Sequence, residues 1–220
     1  MIVALLGDPV DASLSPLMQN TAFAARGLAW KYVALRVDAR KLEDAVRGLV
    51  ALGFAGANVT TPHKLAAAQL VETRLQSVNT LVVRDGRVTG TSTDAAVLDG
   101  LAFDRPAILG DGGSATAFAE ALPGAKRFSR RTTWPPDVAD CDVVVNATSE
   151  RNHVLVEVAP GQTLVDLPYP PTATARAAEA AGAAVVDGLD VLVAQGAAAF
   201  ELWTGVAAPV DVMRAAVRSA

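Results

Sequence analysis

Ala107-Ile108-Leu109-Gly110-Asp111-Gly112-Gly113-Ser114 reads as a short apolar strand that ends in a glycine loop and opens an alanine-rich helix. In that context glycines let the backbone approach a pyrophosphate closely, and the helix N-terminus offers N–H groups and the positive end of its dipole. A tight turn without a ligand uses the same residues, so the loop by itself leaves both readings open. About 20 positions further on, a site for NAD usually carries an acid for the ribose 2′-hydroxyl. Here the next strand ends in Ser129-Arg130-Arg131. Two guanidinium groups suit a 2′-phosphate, so the expected cofactor is NADP, with a merely solvated basic turn as the alternative.

Upstream of the loop, strand-like runs alternate with alanine-rich helical stretches. Strands are expected over 2–6, 31–36 and 54–59, and helices over 15–26 and 41–52. This alternation predicts βαβ units, an α/β class and a mainly parallel sheet. Ser77 to Arg84 and Arg87 to Thr91 flank Asp85-Gly86, the signature of a two-residue hairpin turn and hence of a small antiparallel excursion. A break at Phe103-Asp104-Arg105-Pro106 precedes a second strand series near 107–109, 125–128, 142–146 and 163–166. The expected domains are 1–102, with 189–220 packing back on it as two helices, and 103–188.

The chain has 220 residues, 51% of them hydrophobic, enough for one large domain or two compact ones. Its net charge of −4, with no basic stripe, argues against nucleic acid and anionic membrane surfaces as partners. The single cysteine, Cys141, excludes an internal disulfide and fits a reducing cytoplasm, with packing as a small hydrophobe its expected role. The first residues, Met1 to Gly7, are too short for a signal peptide and lack basic residues before the apolar run. No apolar run approaches the roughly 20 residues needed to span a bilayer. His63 and His153 are too few and too isolated for a metal site, so none is expected.

Two polar islands stand out in this apolar background: Asn58 to Lys64, and Ser77 to Thr80 leading to Ser92-Thr93-Asp94. They supply one lysine, one aspartate and two asparagines suited to gripping a polyhydroxylated small molecule and moving a proton. Together with Ser13 to Pro16, Gly110 to Ser114, Asn146 to Ser149 and Gly188 to Gln195, these motifs resemble the shikimate dehydrogenase family in order and nearly end to end. The resemblance implies a substrate domain, a Rossmann-like NADP domain and C-terminal helices returning to the substrate domain. It also implies interconversion of 3-dehydroshikimate and shikimate, with hydride passing across the interdomain cleft.

Carried over by position, the resemblance makes Lys64 and Asp94 the catalytic pair. A lysine held beside a carboxylate can protonate a developing alkoxide while staying oriented. Ser13 and Ser15 match the hydroxyls for the substrate carboxylate, although Ser15 before Pro16 equally suits a helix start. Serine rather than threonine at the second position looks like the shikimate-specific members. Asn58, Thr60, Asn79 and Gln195 match the readers of ring hydroxyls, and Tyr169 matches a tyrosine near the substrate. On the cofactor side, Gly110, Gly112, Gly113 and Ser114 match the pyrophosphate loop. Ser129, Arg130 and Arg131 match the adenosine-phosphate site, while Thr148 and Gly188 match the nicotinamide side.

The chain departs from the family by several tens of residues. Only nine residues separate Arg131 from Cys141, where members usually have a helix and a further strand. A parallel crossover takes about a dozen residues or more, so the Rossmann half is expected to be trimmed. Glu150 follows Ser149 where glycine is common, and Val191 stands where many relatives have methionine. A quinate or amino-shikimate dehydrogenase is a second reading, and a non-catalytic shikimate-binding or regulatory paralogue with an impaired cofactor domain is a third. The expected partner is the small-molecule substrate, acting on a monomer or homodimer.

Overall fold

The computed structural model describes all residues, 1–220. The chain divides into two compact units, Met1–Ala96 with Val193–Ala220, and Val97–Leu192.

The first unit is built on β1 (Ile2–Gly7), α1 (Ser15–Ala25), β2 (Lys31–Arg36), α2 (Leu42–Ala51), β3 (Gly56–Val59), α3 (Lys64–Ala68), β4 (Thr80–Arg84) and β5 (Arg87–Thr91). Its sheet has the order β2-β1-β3-β4-β5. β1 runs parallel to β2 and β3, whereas β4 and β5 are antiparallel additions. The expected hairpin forms, with Asp85 at φ 51° and Gly86 at φ 74°, the two left-handed positions that match a strand twist. The central strands β1 and β3 are almost wholly buried, β1 as a continuous apolar run and β3 interrupted only by Asn58, whereas β2 at the edge is mostly exposed. Ala4, Leu6, Val46, Leu49, Ala57, Val59 and Leu81 form one cluster of this core.

The C-terminal helices α6 (Gly188–Thr204) and α7 (Val210–Arg218) end the chain. The part of α6 within the first unit packs on α1: Phe200 stacks on Phe23 with ring centroids 5.3 Å apart, and Gln19 Nε2 donates to the Gly196 carbonyl at 2.8 Å. Trp203 Nε1 reaches the Leu81 carbonyl on β4 at 2.9 Å.

The second unit holds β6 (Pro106–Leu109), α4 (Gly113–Ala121), β7 (Lys126–Phe128), β8 (Val143–Asn146), β9 (Thr163–Asp166), α5 (Ala173–Ala181) and β10 (Ala184–Val186). Its sheet, β10-β9-β8-β6-β7, is parallel throughout. The strand order reverses between β7 and β8, which lie on either side of β6. Ligands of open α/β sheets bind at such a switch point, outside the carboxyl ends of the strands.

Between Phe128 and Val143 there is neither helix nor strand, in line with the trimmed second half expected. β7 is therefore a three-residue edge strand. The intervening loop is anchored rather than loose. Val138 and Cys141 are buried against Leu109, Phe128 and Val144, and burial pushes the Cys141 thiol up. Gln162 Nε2 donates to the carbonyls of Val138 (2.8 Å) and Cys141 (2.7 Å), and its Oε1 accepts from Ala159 N at 2.7 Å. β10 and α5 were not marked by the sequence pattern. β10 has three residues in an alanine-rich stretch, one exposed and two partly buried, so it shows no period of its own.

No helix is long and apolar enough to cross a membrane.

Candidate active site

Lys64 is the first residue of α3, and its carbonyl accepts from Val78 N at 3.1 Å, which ties the helix start to the chain entering β4. Its Nζ donates to both oxygens of Asp94, at 2.7 and 2.6 Å. Asp94 opens a 3-10 turn just after β5. Both side chains are about nine-tenths buried, with relative exposures of 11% and 10%. A buried pair of this kind is held by its geometry and by further hydrogen bonds, because desolvation opposes it.

Those further bonds come from Asn79. Its Nδ2 donates to Asp94 Oδ1 at 2.8 Å and to Thr93 Oγ1 at 3.0 Å, with Gln195 Oε1 at 3.5 Å. Its Oδ1 accepts from Thr93 N at 2.7 Å and Thr80 Oγ1 at 3.0 Å. Asn58 sits one strand away, donating to Thr80 Oγ1 at 3.0 Å and the Asn79 carbonyl at 3.1 Å and accepting from Tyr32 OH at 2.9 Å. Thus the sequence-predicted Lys64, Asp94, Asn58, Asn79 and Gln195 converge in one network of the first unit. Tyr32, Thr80 and Thr93 complete it. Thr80 and Thr93 lie in the polar islands, but their part here follows from cross-strand register, with Thr80 opposite Asn58 on β3.

Thr60 follows β3 and is half-buried, with its N–H on the Leu6 carbonyl at 2.9 Å. Ser13 Oγ accepts from Ser15 N at 3.2 Å, leaving the Ser13 hydroxyl hydrogen available as a donor. Ser15 begins α1 with Pro16 behind it, and its helix cap has no side-chain hydrogen bond. His63 is buried and bonded to the Val37 carbonyl at 2.7 Å, a packing role.

In the second unit, Gly110 has φ +122°, and a Cβ there would lie 2.9 Å from the Ala147 carbonyl oxygen. Only glycine allows the loop after β6 to pass this close to the end of β8. Gly112 is the N-cap of α4; it brings no side-chain oxygen to the first turn, and the space where its Cβ would stand is open. With Gly113 and Ser114 beginning the helix, this fits a pyrophosphate. Asn146, at the end of β8, donates to Asp166 Oδ1 at 2.7 Å, and Asp166 in turn accepts from Thr172 N and Oγ1, both at 3.1 Å. Thr148 Oγ1 donates to Asn146 Oδ1 at 2.8 Å, so this buried network orients Thr148. Gly188 allows α6 to start against Pro168, whose carbonyl oxygen would be 2.3 Å from an added Cβ. Tyr169 belongs to this unit; its carbonyl accepts from Arg151 Nη1 at 2.8 Å.

Ser129, buried at the end of β7, accepts from Arg131 N at 3.3 Å and bonds Thr132 Oγ1 at 3.0 Å. Arg130 and Arg131 extend into solvent. Arg131 Nη1 lies 3.4 Å from Asp111 Oδ2, and Arg130 Nη2 lies 3.9 Å from Glu150 Oε2. The two guanidinium groups fit a phosphate monoester, and each has an acid beside it.

A buried lysine–carboxylate pair in one α/β unit, and a glycine loop at the switch point of a parallel sheet in another, define the class as an α/β oxidoreductase of the nicotinamide-dinucleotide type. Residues 5–81 match the shikimate dehydrogenase substrate binding domain, and residues 188–218 match the shikimate 5'-dehydrogenase C-terminal domain. A shikimate dehydrogenase (NADP(+)) of Moorella thermoacetica is 40% identical, covering 100% of this chain and 93% of its own. That alignment runs over 274 positions against 220 residues here, so the relative carries segments this chain lacks. A crystal structure of shikimate dehydrogenase with NADP+ superposes with a TM-score of 0.90 at 28% identity, covering 99% of this chain and 94% of that one. The shikimate 5-dehydrogenase of Thermus thermophilus, in complex with NADP(H) and shikimate, gives 0.84 at 29% identity, covering 100% and 99%. The chain belongs to the shikimate dehydrogenase family.

Proposed function

We propose that this protein is an NADP-dependent shikimate dehydrogenase, reducing 3-dehydroshikimate to shikimate and catalysing the reverse oxidation. The observation that carries the reading is the buried Lys64–Asp94 pair, both carboxylate oxygens within 2.7 Å of one ammonium and the carboxylate held in turn by Asn79.

NADP supplies or accepts the hydride at the ring carbon. Lys64 Nζ, held by both oxygens of Asp94, passes a proton to the ketone oxygen as it becomes a hydroxyl. In the oxidation the same nitrogen takes that proton back. Asp94 keeps the ammonium aimed and lowers the cost of holding charge where water is scarce. Asn79 uses both amide hydrogens and its carbonyl within the protein, so it acts by fixing Asp94. Ser13 and Ser15 are assigned to the substrate carboxylate, where hydroxyl donors bind an anion without a full counter-charge. Thr60, Gln195 and the remaining acceptor capacity of Asn58 are assigned to ring hydroxyls, and Tyr169 to the substrate as well. Gly110, Gly112, Gly113 and Ser114 hold the pyrophosphate, Ser129, Arg130 and Arg131 the 2′-phosphate, and Thr148 and Gly188 the nicotinamide side.

The test follows reduced-nicotinamide absorbance with purified protein, shikimate and NADP+. Shikimate-dependent reduction that is lost in Lys64→Ala, while shikimate still raises the melting temperature of that variant, is the expected result. Absence of reduction by the unaltered protein overturns the reading.

A further inference from the structure

Asp111 and Glu150 face the two arginines of the adenosine-phosphate side, and no step of the proposed reaction uses them. Asp111 is the residue between the first two glycines of the loop, 3.4 Å from Arg131. Glu150 is 3.9 Å from Arg130 and does not swing freely. Its Oε1 accepts from Asn152 N at 2.9 Å and His153 N at 3.3 Å, and lies 3.1 Å from His153 Nδ1. The Asn152 N–H, above all, and the contact with His153 hold this carboxyl down to about 2, so it is ionised at neutral pH. Arg130 is further fixed over the Trp134 ring, 5.7 Å from its centroid.

Two guanidinium charges are thus offset by two carboxylates where a nearly dianionic 2′-phosphate has to sit. The phosphate either displaces these acids or coexists with them across a few ångströms, and both are unfavourable. A ribose 2′-hydroxyl meets no such repulsion, and it can donate to a carboxylate.

We propose that Asp111 and Glu150 are specificity-determining residues of the cofactor site. They hold Arg131 and Arg130 in ion pairs that the 2′-phosphate must displace or share, so the protein separates NADP from NAD less sharply than two uncommitted arginines would. The inference rests on the NADP reading above.

Calorimetric titration with adenosine 2′,5′-bisphosphate and with adenosine 5′-monophosphate tests it without turnover. The quantity read is the ratio of the two dissociation constants, in which general disturbance of the loop cancels. Since exposed ion pairs are worth little, Asp111→Asn and Glu150→Gln should each raise the preference for the bisphosphate by roughly 2- to 5-fold, and the double variant by more. Asp111→Ala and Glu150→Ala should give the same direction, which excludes a new donor–phosphate bond as the cause. Arg131→Met should shrink the gain from Asp111→Asn, since only the direct carboxylate–phosphate repulsion is then left to relieve. A ratio unchanged or lowered in both single variants, with the bisphosphate still bound more tightly than the monophosphate, overturns the inference and leaves the NADP reading standing. A bisphosphate bound no better than the monophosphate in every variant overturns both.

Discussion

The two units of this protein treat charge in opposite ways. In the first, Lys64 and Asp94 are about nine-tenths buried and Asn79 has every polar atom engaged around them. In the second, the Arg130 and Arg131 side chains are 69% and 85% exposed, and their acids stand 3.4 to 3.9 Å away. The first arrangement keeps a fixed geometry because breaking it strands a desolvated charge, whereas exposed pairs exchange partners at little cost. A fixed pair suits proton transfer at one atom, and exchangeable pairs suit an anion that arrives and leaves.

The units also differ in completeness. The first extends its parallel strands with a hairpin of regular register. The second joins β7 to β8 by a loop held through two apolar side chains and one glutamine amide.

The contrast is open to direct attack. Its strongest test is Lys64→Ala, which should lower turnover by roughly 10² to 10⁴ with little change in shikimate affinity. Leaving Asp94 buried without its cation should also cost about 3 kcal/mol of stability, read by denaturant unfolding. Full turnover in that variant would erase the functional distinction between the units. Next comes Asn79→Ala, expected to reduce kcat by about 100-fold with a smaller change in KM, since a misaligned Asp94 lets the ammonium wander. A raised KM with kcat preserved would show instead that Asn79 contacts a substrate hydroxyl directly.

A smaller effect belongs to the trimmed unit. Gln162→Leu strands two loop carbonyls and should destabilise by about 1–3 kcal/mol, measured as a lowered urea midpoint. A midpoint within error of the parent would mean that the loop does not support the sheet. The smallest effect is that of Glu150→Gln. The Glu150 pKa is depressed in the folded protein, so its carboxylate adds stability above about pH 4.5, and this is lost as the pH falls toward about 2. Unfolding curves of parent and variant should therefore differ at pH 7 and converge near pH 2; divergence on acidification would reverse the sign and refute it.

Much of this was legible in the chain itself. The β2 strand at Lys31–Arg36 and the α1 helix at Ser15–Ala25 lie where period and helix-start signals put them. The hairpin at Asp85-Gly86 was readable because its turn needs two left-handed residues. By contrast, β10 left no trace, since one exposed and two half-buried residues beside an alanine-rich helix carry no alternation. Asp166 was likewise silent: it is wholly buried, yet its partners Asn146 and Thr172 are 20 and 6 residues away along the chain.

The α/β class and the polar islands came from the residues alone, because side-chain period and turn chemistry act over a few neighbours, whereas the shortened second half was legible only against the family it resembles. Tertiary structure alone decided that Asn79 grips Asp94, that Gln162 ties down the loop after β7, and that Asp111 and Glu150 meet the arginines. Each of those contacts is made across strands or loops. Long-range register and burial, which no local pattern encodes, set which polar atoms finish within 3 or 4 Å of each other.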